Sequence, residues 1–339
     1  MRAVAIVNDH ARRLTAGVRA GLEAALPGGV RFTRSLDHAR AVIYEEVRRG
    51  RDLIVLGGGD GTVVMGLALV AEACRGAGRP EPAIGVLRLG SANAIADAVG
   101  ATGDPAGDLA RVVRGEGTWR PVPLIEVLGV RAPFVGLGVD AQLREDHRAV
   151  TQVIDRLPGA RRRVGGAARD AISAAARDAL SVALRALPRL VRGPRAHAVV
   201  RNLGAPAIEM ARSGPTGREI AAGSVLWQGA CTLIAGATIP FFGFGLRMFA
   251  FADVRRDRFH LRCGDAGLFE ILRRAPGALR GEAFSDRVHD FLCDRVGIEL
   301  AVAWPVQAGG ELLDRSRSVE LGLAAPVTLV ALSGSASAG

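Results

Sequence analysis

The sequence contains no lysine. Its 44 residues of the Lys and Arg class are therefore all arginine, and with 34 acidic residues they give a net charge of +10. Without lysine the chain cannot carry the phosphate-binding lysine of a GxxxxGK[ST] loop, nor form a Schiff base with a substrate. The excess of positive charge favours an anionic partner such as a phospholipid surface, a nucleotide or a nucleic acid, and it does not choose among these.

Cysteines, aromatic residues and long apolar runs are also scarce. The four cysteines show no CxxC spacing, which argues against disulfides and against a zinc site. Aromatic residues make up 4% of the chain, too few for the base-stacking platforms of a nucleic-acid-binding protein. No apolar run approaches the ~20 residues that span a bilayer, and the N-terminus lacks a signal-peptide pattern. We therefore expect a folded, cytoplasmic protein that does not bind nucleic acid.

The stretch LIVLGGGDGTVV, residues 53–64, places three glycines directly after a short aliphatic run. The run predicts a buried strand of a parallel sheet, and the glycines allow bare backbone to approach another molecule closely. The apolar residues from Val63 onward predict a helix that begins after Thr62, so the glycines lie at a helix N-terminus, where anions bind. Asp60 beside phosphates indicates a divalent cation between them. The stretch predicts a magnesium-nucleotide site, and the alternative is a tight turn in which Asp60 only caps the helix.

Strand and helix patterns alternate over residues 1–121, which predicts an open parallel sheet with covering helices. Ligands bind such sheets at the carboxyl ends of the strands, where both Gly59–Asp60 and Gly90–Ser91 would lie. From residue 122 to 332, short strand-like runs predict a second, mainly antiparallel domain of the sandwich type. A helical pattern near residues 160–190 interrupts that domain, and residues 333–339 predict a flexible tail.

Five segments together resemble one enzyme family. GGGDGT (57–62), GVLRLGSANAIADAVG (85–100), FVGLGVDA (134–141), TIPFFGFGLRMFAFAD (238–253) and VQAGGELL (306–313) resemble the catalytic domain shared by bacterial diacylglycerol kinases, related lipid kinases, and sphingosine and ceramide kinases. NAD kinases share GGDGT, but they would be expected to show an Asn-x-Gly-x-x-Gly-Phe-Leu-like segment where this chain has GSANAIA. The resemblance implies an α/β domain and a β-sandwich domain, with ATP and magnesium in the cleft between them.

The resemblance assigns roles residue by residue. It implies nucleotide binding by Asn8, Thr33, Gly58, Gly59, Asp60, Gly61, Thr62, Ser91 and Asn93. It implies two catalytic residues. Asp60 contacts magnesium, and Glu311 acts as the general base. It also implies that Asp140 contacts the substrate and that Asp257 belongs to a structural magnesium site.

The chain departs from the family pattern in three places. The family's Asp-Gly-Glu element is Gly309–Glu311 here, so Glu311 alone remains as base. The family's Asn-Glu after GGDGT is replaced by Val64 and Met65, and its Asp-Gly by Asp257 and Arg258. Restoring the aspartate with Gly309→Asp should preserve or raise activity if the loop tolerates a side chain, although a positive φ would oppose it.

The sequence therefore predicts an ATP-dependent lipid kinase that phosphorylates a diacylglycerol or sphingoid-type hydroxyl at a peripheral membrane surface. The alternatives are a catalytically inactive or altered lipid- or nucleotide-binding protein, and an NAD kinase-like small-molecule kinase. A homodimer is left open.

Overall fold

The computed structural model describes residues 2–138, 141, 195–211, 214–242, 245, 247–265 and 287–332. Asp140, the predicted helix near 160–190 and the predicted tail at 333–339 lie outside these residues. In chain order the elements of the first part are β1 (Ala3–Asn8), α1 (Ala16–Ala25), β2 (Val30–Thr33), α2 (Leu36–Arg48), β3 (Leu53–Gly58), α3 (Asp60–Ala77), β4 (Ala83–Arg88), α4 (Ala94–Ala98) and α5 (Pro105–Val113).

The second part consists of strands in the described residues. They are β5 (Gly117–Val127), β6 (Val130–Ala132), β7 (Phe134–Gly138), β8 (Ala196–Asn202), β9 (Ala207–Ala211), β10 (Gly214–Ile220), β11 (Val225–Cys231), β12 (Leu233–Ala237), β13 (Phe259–Gly264), β14 (Val288–Cys293), β15 (Arg295–Ala308) and β16 (Glu311–Leu332). No helix within the described ranges is both long and apolar enough to cross a membrane.

The first part is a parallel sheet in the order β4-β3-β1-β2. All six residues of β3 are buried, as expected for a central strand covered on both faces. Thr15 and Ser35 cap α1 and α2 through their hydroxyl oxygens, which accept backbone N–H groups of the first turn. The predicted start of α3 after Thr62 is wrong, because the helix begins at Asp60 with Gly59 as its N-cap.

The second part is an antiparallel array that continues the same sheet in the order β10-β9-β14-β13-β12-β7-β15-β16. Strand β16 joins the two parts, since it pairs antiparallel with β15 and β5 and parallel with β4 through Leu329 and Ile84. The predicted fold class, an α/β domain followed by an antiparallel strand-rich part, is confirmed. The predicted boundary between residues 121 and 122 falls inside β5, and the exact domain limits stay a prediction.

The tight turn between β15 and β16 is anchored on the neighbouring strand β7. Gly309 N–H donates to the carbonyl of Phe134 at 2.9 Å, and Ala308 pairs with Val135 in the ladder. Phe134 and Val135 are fully buried. The turn is therefore held rigidly at the place where the antiparallel part meets the parallel sheet.

Candidate functional site

The glycine loop links β3 to α3 and presents the first turn of that helix. Gly59 is extended (φ −90°, ψ 177°) and has no side chain, so α3 begins without a side-chain cap. The free N–H groups of such a turn attract anions. A Cβ atom on Gly58 would lie 2.5 Å from Cβ of Thr62, so glycine is needed for the helix to follow the strand so closely. Asp60, 7% exposed, lies in the first turn of α3 and accepts the N–H of Ile95 through Oδ1 at 2.9 Å.

The second glycine turn, after β4, lies against the first. A Cβ atom on Gly90 would lie 2.3 Å from Cα of Gly59, so the two backbones touch. Asn93 adopts a left-handed conformation (φ 57°), and its amide both donates to and accepts from the backbone of Gly90 at 2.8 Å. Asn93 is buried and shapes the turn, whereas Ser91 is exposed at its tip. The expected meeting of both turns at adjacent strand ends is therefore observed.

The two sequence-predicted residues at the ends of β1 and β2 lie beside the same loop. Asn8 donates through Nδ2 to Oγ1 of Thr62 at 3.2 Å, and its Oδ1 accepts the N–H of His10 at 2.9 Å. Thr33 is buried, and its hydroxyl lies 3.4 Å from the carbonyl of Val7. A cavity of about 360 Å³ opens here; its lining includes Asn8, His10, Thr33, Gly61, Thr62, Met65 and Glu311. This space can accept a planar, partly apolar group next to the glycine loop.

Glu311 reaches the glycine loop from the other part of the chain. A Cβ atom on Gly61 would lie 2.1 Å from Oε1 of Glu311, which places the carboxylate directly against the backbone of α3's first turn. The turn that precedes Glu311 is fixed by Gln307, which is fully buried and whose Oε1 accepts Gly310 N–H at 2.7 Å. Gln307 could not be predicted from the sequence, because nothing in VQAGGELL separates a buried amide from an exposed one.

The remaining predicted residues are not brought to this site by the described structure. Asp257 is 54% exposed and pairs with Arg255 at 2.7 Å and Arg258 at 3.1 Å. The hydrogen bond from Arg255 holds the pKa of Asp257 below its usual value. Across the described ranges no three His, Cys, Asp or Glu residues form a cluster that could hold a metal ion. The structural-magnesium role of Asp257 and the substrate role of Asp140 stay predictions.

A magnesium ion bound together with a nucleotide needs fewer protein ligands than a structural one. Mg²⁺ is usually bound by one or two carboxylates, with the phosphates and water completing its octahedron. Asp60 in the first turn of α3 supplies a carboxylate beside the loop. The residues present therefore fit an ion that arrives with its nucleotide.

These features define a two-part fold with a cleft where the glycine loop of the parallel sheet meets Glu311 of the strand-rich region. Residues 2–127 match the family described as the diacylglycerol kinase catalytic domain.

Two curated relatives match a segment of the chain. Proteins named "Probable lipid kinase YegS-like" from two strains of Pseudomonas aeruginosa are each 40% identical to this chain over 114 residues. The aligned segment covers 34% of this chain and 35% of each relative, so the chain spans about a third of their length in these matches.

Solved structures match nearly the whole chain. A crystal structure described as that of a diacylglycerol kinase from Bacillus anthracis str. Sterne has a TM-score of 0.60 and 14% identity, covering 97% of this chain and 96% of that one. A second structure from the same organism has a TM-score of 0.62 and 14% identity, covering 97% of each chain. At this identity the likeness shows the fold alone.

Proposed function

We propose that this protein is an ATP-dependent lipid kinase that transfers the γ-phosphate to a lipid hydroxyl of the diacylglycerol or sphingoid type. The observation that carries the proposal is the contact between Glu311 and Gly61, which puts a carboxylate from the strand-rich part at the phosphate-binding turn. The match of residues 2–127 to the diacylglycerol kinase catalytic domain supports the same reaction class.

Phosphoryl transfer requires mainly positioning and charge neutralisation, together with a base near the attacking hydroxyl. The N–H groups of α3's first turn bind the phosphates, and Asn8 orients Thr62 beside them through its 3.2 Å hydrogen bond. Asp60 would hold magnesium, which would neutralise phosphate charge when bound. Glu311 accepts the proton of the lipid hydroxyl as its oxygen attacks the γ-phosphorus and the bond to the ADP oxygen breaks.

An inactive nucleotide- or lipid-binding protein is the second candidate. The observation that favours it is Gly309, which stands where the family has an aspartate and which adopts a positive φ of 55°. An enzyme with one carboxylate in this element retains a base but loses a second charge near the transferred group.

The direct test is transfer of labelled γ-phosphate from ATP to lipids presented in mixed micelles with magnesium. The parent protein should label diacylglycerol, a sphingoid base or ceramide, and Asp60→Ala should not. Asp37→Ala is the matched control, because Asp37 is an exposed acid in the first turn of α2. Equal labelling by Asp60→Ala would rule out the assigned site, and no labelling of any lipid by the parent would favour the inactive protein.

We also propose that the protein associates peripherally with anionic membranes, because its net charge is +10 and its proposed substrate lies in a bilayer. Such binding should weaken as salt rises through the physiological range. Association that is independent of salt, or absent with anionic liposomes, would contradict it. The cytoplasmic location and the homodimer stay predictions.

A further inference from the structure

A second cavity, of about 510 Å³, lies where α4, β5, the end of β16 and residues 238–241 and 247–256 meet. Among the described residues it shares no lining residue with the cavity beside Thr33. Its charged lining residues within the described ranges are Arg120, Arg247, Arg255, Arg256, Asp97 and Asp253. Four arginines against two aspartates leave an excess of two positive charges, so the cavity, called here the arginine cavity, favours an anion.

Most of these guanidinium groups are available to a ligand. Arg120, Arg247 and Arg256 are exposed and form no ion pair with another described residue. Arg247 lies 5.7 Å from the ring centre of Phe241, also in the cavity wall. Only Arg255 is engaged, by Asp257. Arginine forks bind phosphate oxygens in a bidentate manner, so this rim fits a phosphate group.

The floor of the arginine cavity is apolar, unlike its rim. Val122, Ile239 and Leu329 line it and are almost fully buried. Val254, in the arginine-rich segment beside the cavity, is 56% exposed. A cationic rim above an apolar floor suits a molecule with an anionic head and a hydrocarbon body.

Asp97 supplies a second, independent indication. Its side chain is 8% exposed and pairs with Arg88. Its Oδ2 is buried and makes no hydrogen bond of normal geometry within the described residues, although the backbone N–H of Gly245 lies near Asp97. Buried polar atoms are normally satisfied, so this oxygen calls for a donor on a ligand. A singly protonated phosphate monoester has an O–H that can donate to Asp97 while its other oxygens face the arginines. A phosphate diester has no such hydroxyl on phosphorus.

We propose that the arginine cavity binds the phosphate monoester headgroup of an anionic amphiphile. The site goes beyond the proposed kinase reaction, since it is separate from the cleft formed by Gly61 and Glu311. The ligand occupies it without being transformed.

The test is calorimetric titration of the full chain with dihexanoyl phosphatidic acid below its micelle concentration. Arg120→Gln/Arg247→Gln should weaken binding at least about tenfold, since each removes a charge-assisted hydrogen bond. Arg48→Gln/Arg75→Gln removes the same charge from exposed arginines elsewhere and should bind like the parent. Asp60→Ala should also bind like the parent, which keeps this site distinct from product binding in the kinase cleft.

Three matched probes define the chemistry. Dihexanoyl phosphatidylmethanol, a diester, dihexanoyl phosphatidylcholine and inorganic phosphate should each bind more weakly than phosphatidic acid. The assignment of the site would be overturned if only Asp60→Ala lost affinity for phosphatidic acid. It would also be overturned if Arg120→Gln/Arg247→Gln and Arg48→Gln/Arg75→Gln lost the same affinity. If inorganic phosphate binds as tightly as phosphatidic acid, the site does not recognise the hydrocarbon body of an amphiphile. If the diester binds as tightly as phosphatidic acid, the site does not select a phosphate monoester.

Discussion

A Cβ atom on Gly309 would lie 2.1 Å from Cγ2 of Val64. Two departures from the family pattern, the missing aspartate and the valine after the glycine loop, therefore meet in one contact. Gly309 also has a left-handed φ of 55°, and Val64 is fully buried. The condition set for Gly309→Asp, a loop that tolerates a side chain, is therefore not met, because the left-handed backbone and the contact with Val64 leave no room for a Cβ atom.

Gly309→Ala should lower the free energy of unfolding by about 1–3 kcal/mol, from strain and overpacking. Gly322→Ala, where a Cβ meets nothing within 4 Å, is the control and should change stability little. Urea denaturation measures both. In the double variant Val64→Ala/Gly309→Ala, the smaller side chain at residue 64 leaves room for the Cβ atom at residue 309. The decrease in the free energy of unfolding should therefore be smaller than the sum of the decreases in the two single variants. Strict additivity would show that the contact does not constrain residue 309.

Gly90→Ala should impair catalysis by forcing the two glycine turns apart. Its Cβ would lie 2.3 Å from Cα of Gly59, and backbone cannot move aside as a flexible side chain can. A displacement of this kind can cost on the order of 10²-fold in kcat/KM for ATP. Gly103→Ala is the control, since its Cβ would meet nothing within 4 Å. A Gly90→Ala enzyme with the parent's kcat/KM would show that contact between the turns is not required.

Stability should fall in mild acid because of a buried histidine. His260 is fully buried with Nε2 3.0 Å from Oδ1 of Asp290, which Arg262 holds through bonds of 2.7 and 2.9 Å. Burial lowers the pKa of His260 below its usual value, so the unfolded chain binds the proton more readily. The free energy of unfolding should therefore decrease as pH falls below about 6.5, by at most about 1.4 kcal/mol per pH unit from this group.

His260→Phe removes the imidazole that takes up a proton on unfolding. The new phenyl ring should keep the edge contact that His260 makes with Phe249. Urea denaturation at pH 5, 6, 7 and 8 should give a flatter pH dependence for the variant than for the parent. Identical curves between pH 7 and pH 5 would mean that another group controls the acid transition.

The sequence allowed the glycine loop and the parallel sheet to be predicted, because strand, breaker and helix signals are local there. It did not allow the antiparallel part to be predicted completely. The apolar runs SVELGL (318–323) and PVTLVAL (326–332) each have the length of a short strand, yet both belong to β16, which continues through Ala324 and Ala325. Strand β10 was missed because it is a largely exposed edge strand with Gly214 and Pro215 at its start.

The catalytic cleft depends on packing between distant segments. The resemblance placed Glu311 near the nucleotide, but its contact with Gly61 requires the β15–β16 turn to be anchored on Phe134. The contact between Val64 and Gly309 likewise arises only in the folded chain. Residue patterns encode local geometry, whereas these two contacts depend on how β7, β15 and α3 pack.

The kinetics of Glu311→Gln test the central claim most directly. The carboxylate lies against Gly61, so removing its basicity without changing its size should lower kcat on the order of 10²-fold or more while leaving ATP affinity nearly unchanged. Asp314→Asn, an exposed carboxylate on the same strand, should retain the parent's kcat. Lipid phosphorylation by Glu311→Gln at the parent's rate would contradict the assignment of Glu311 as general base.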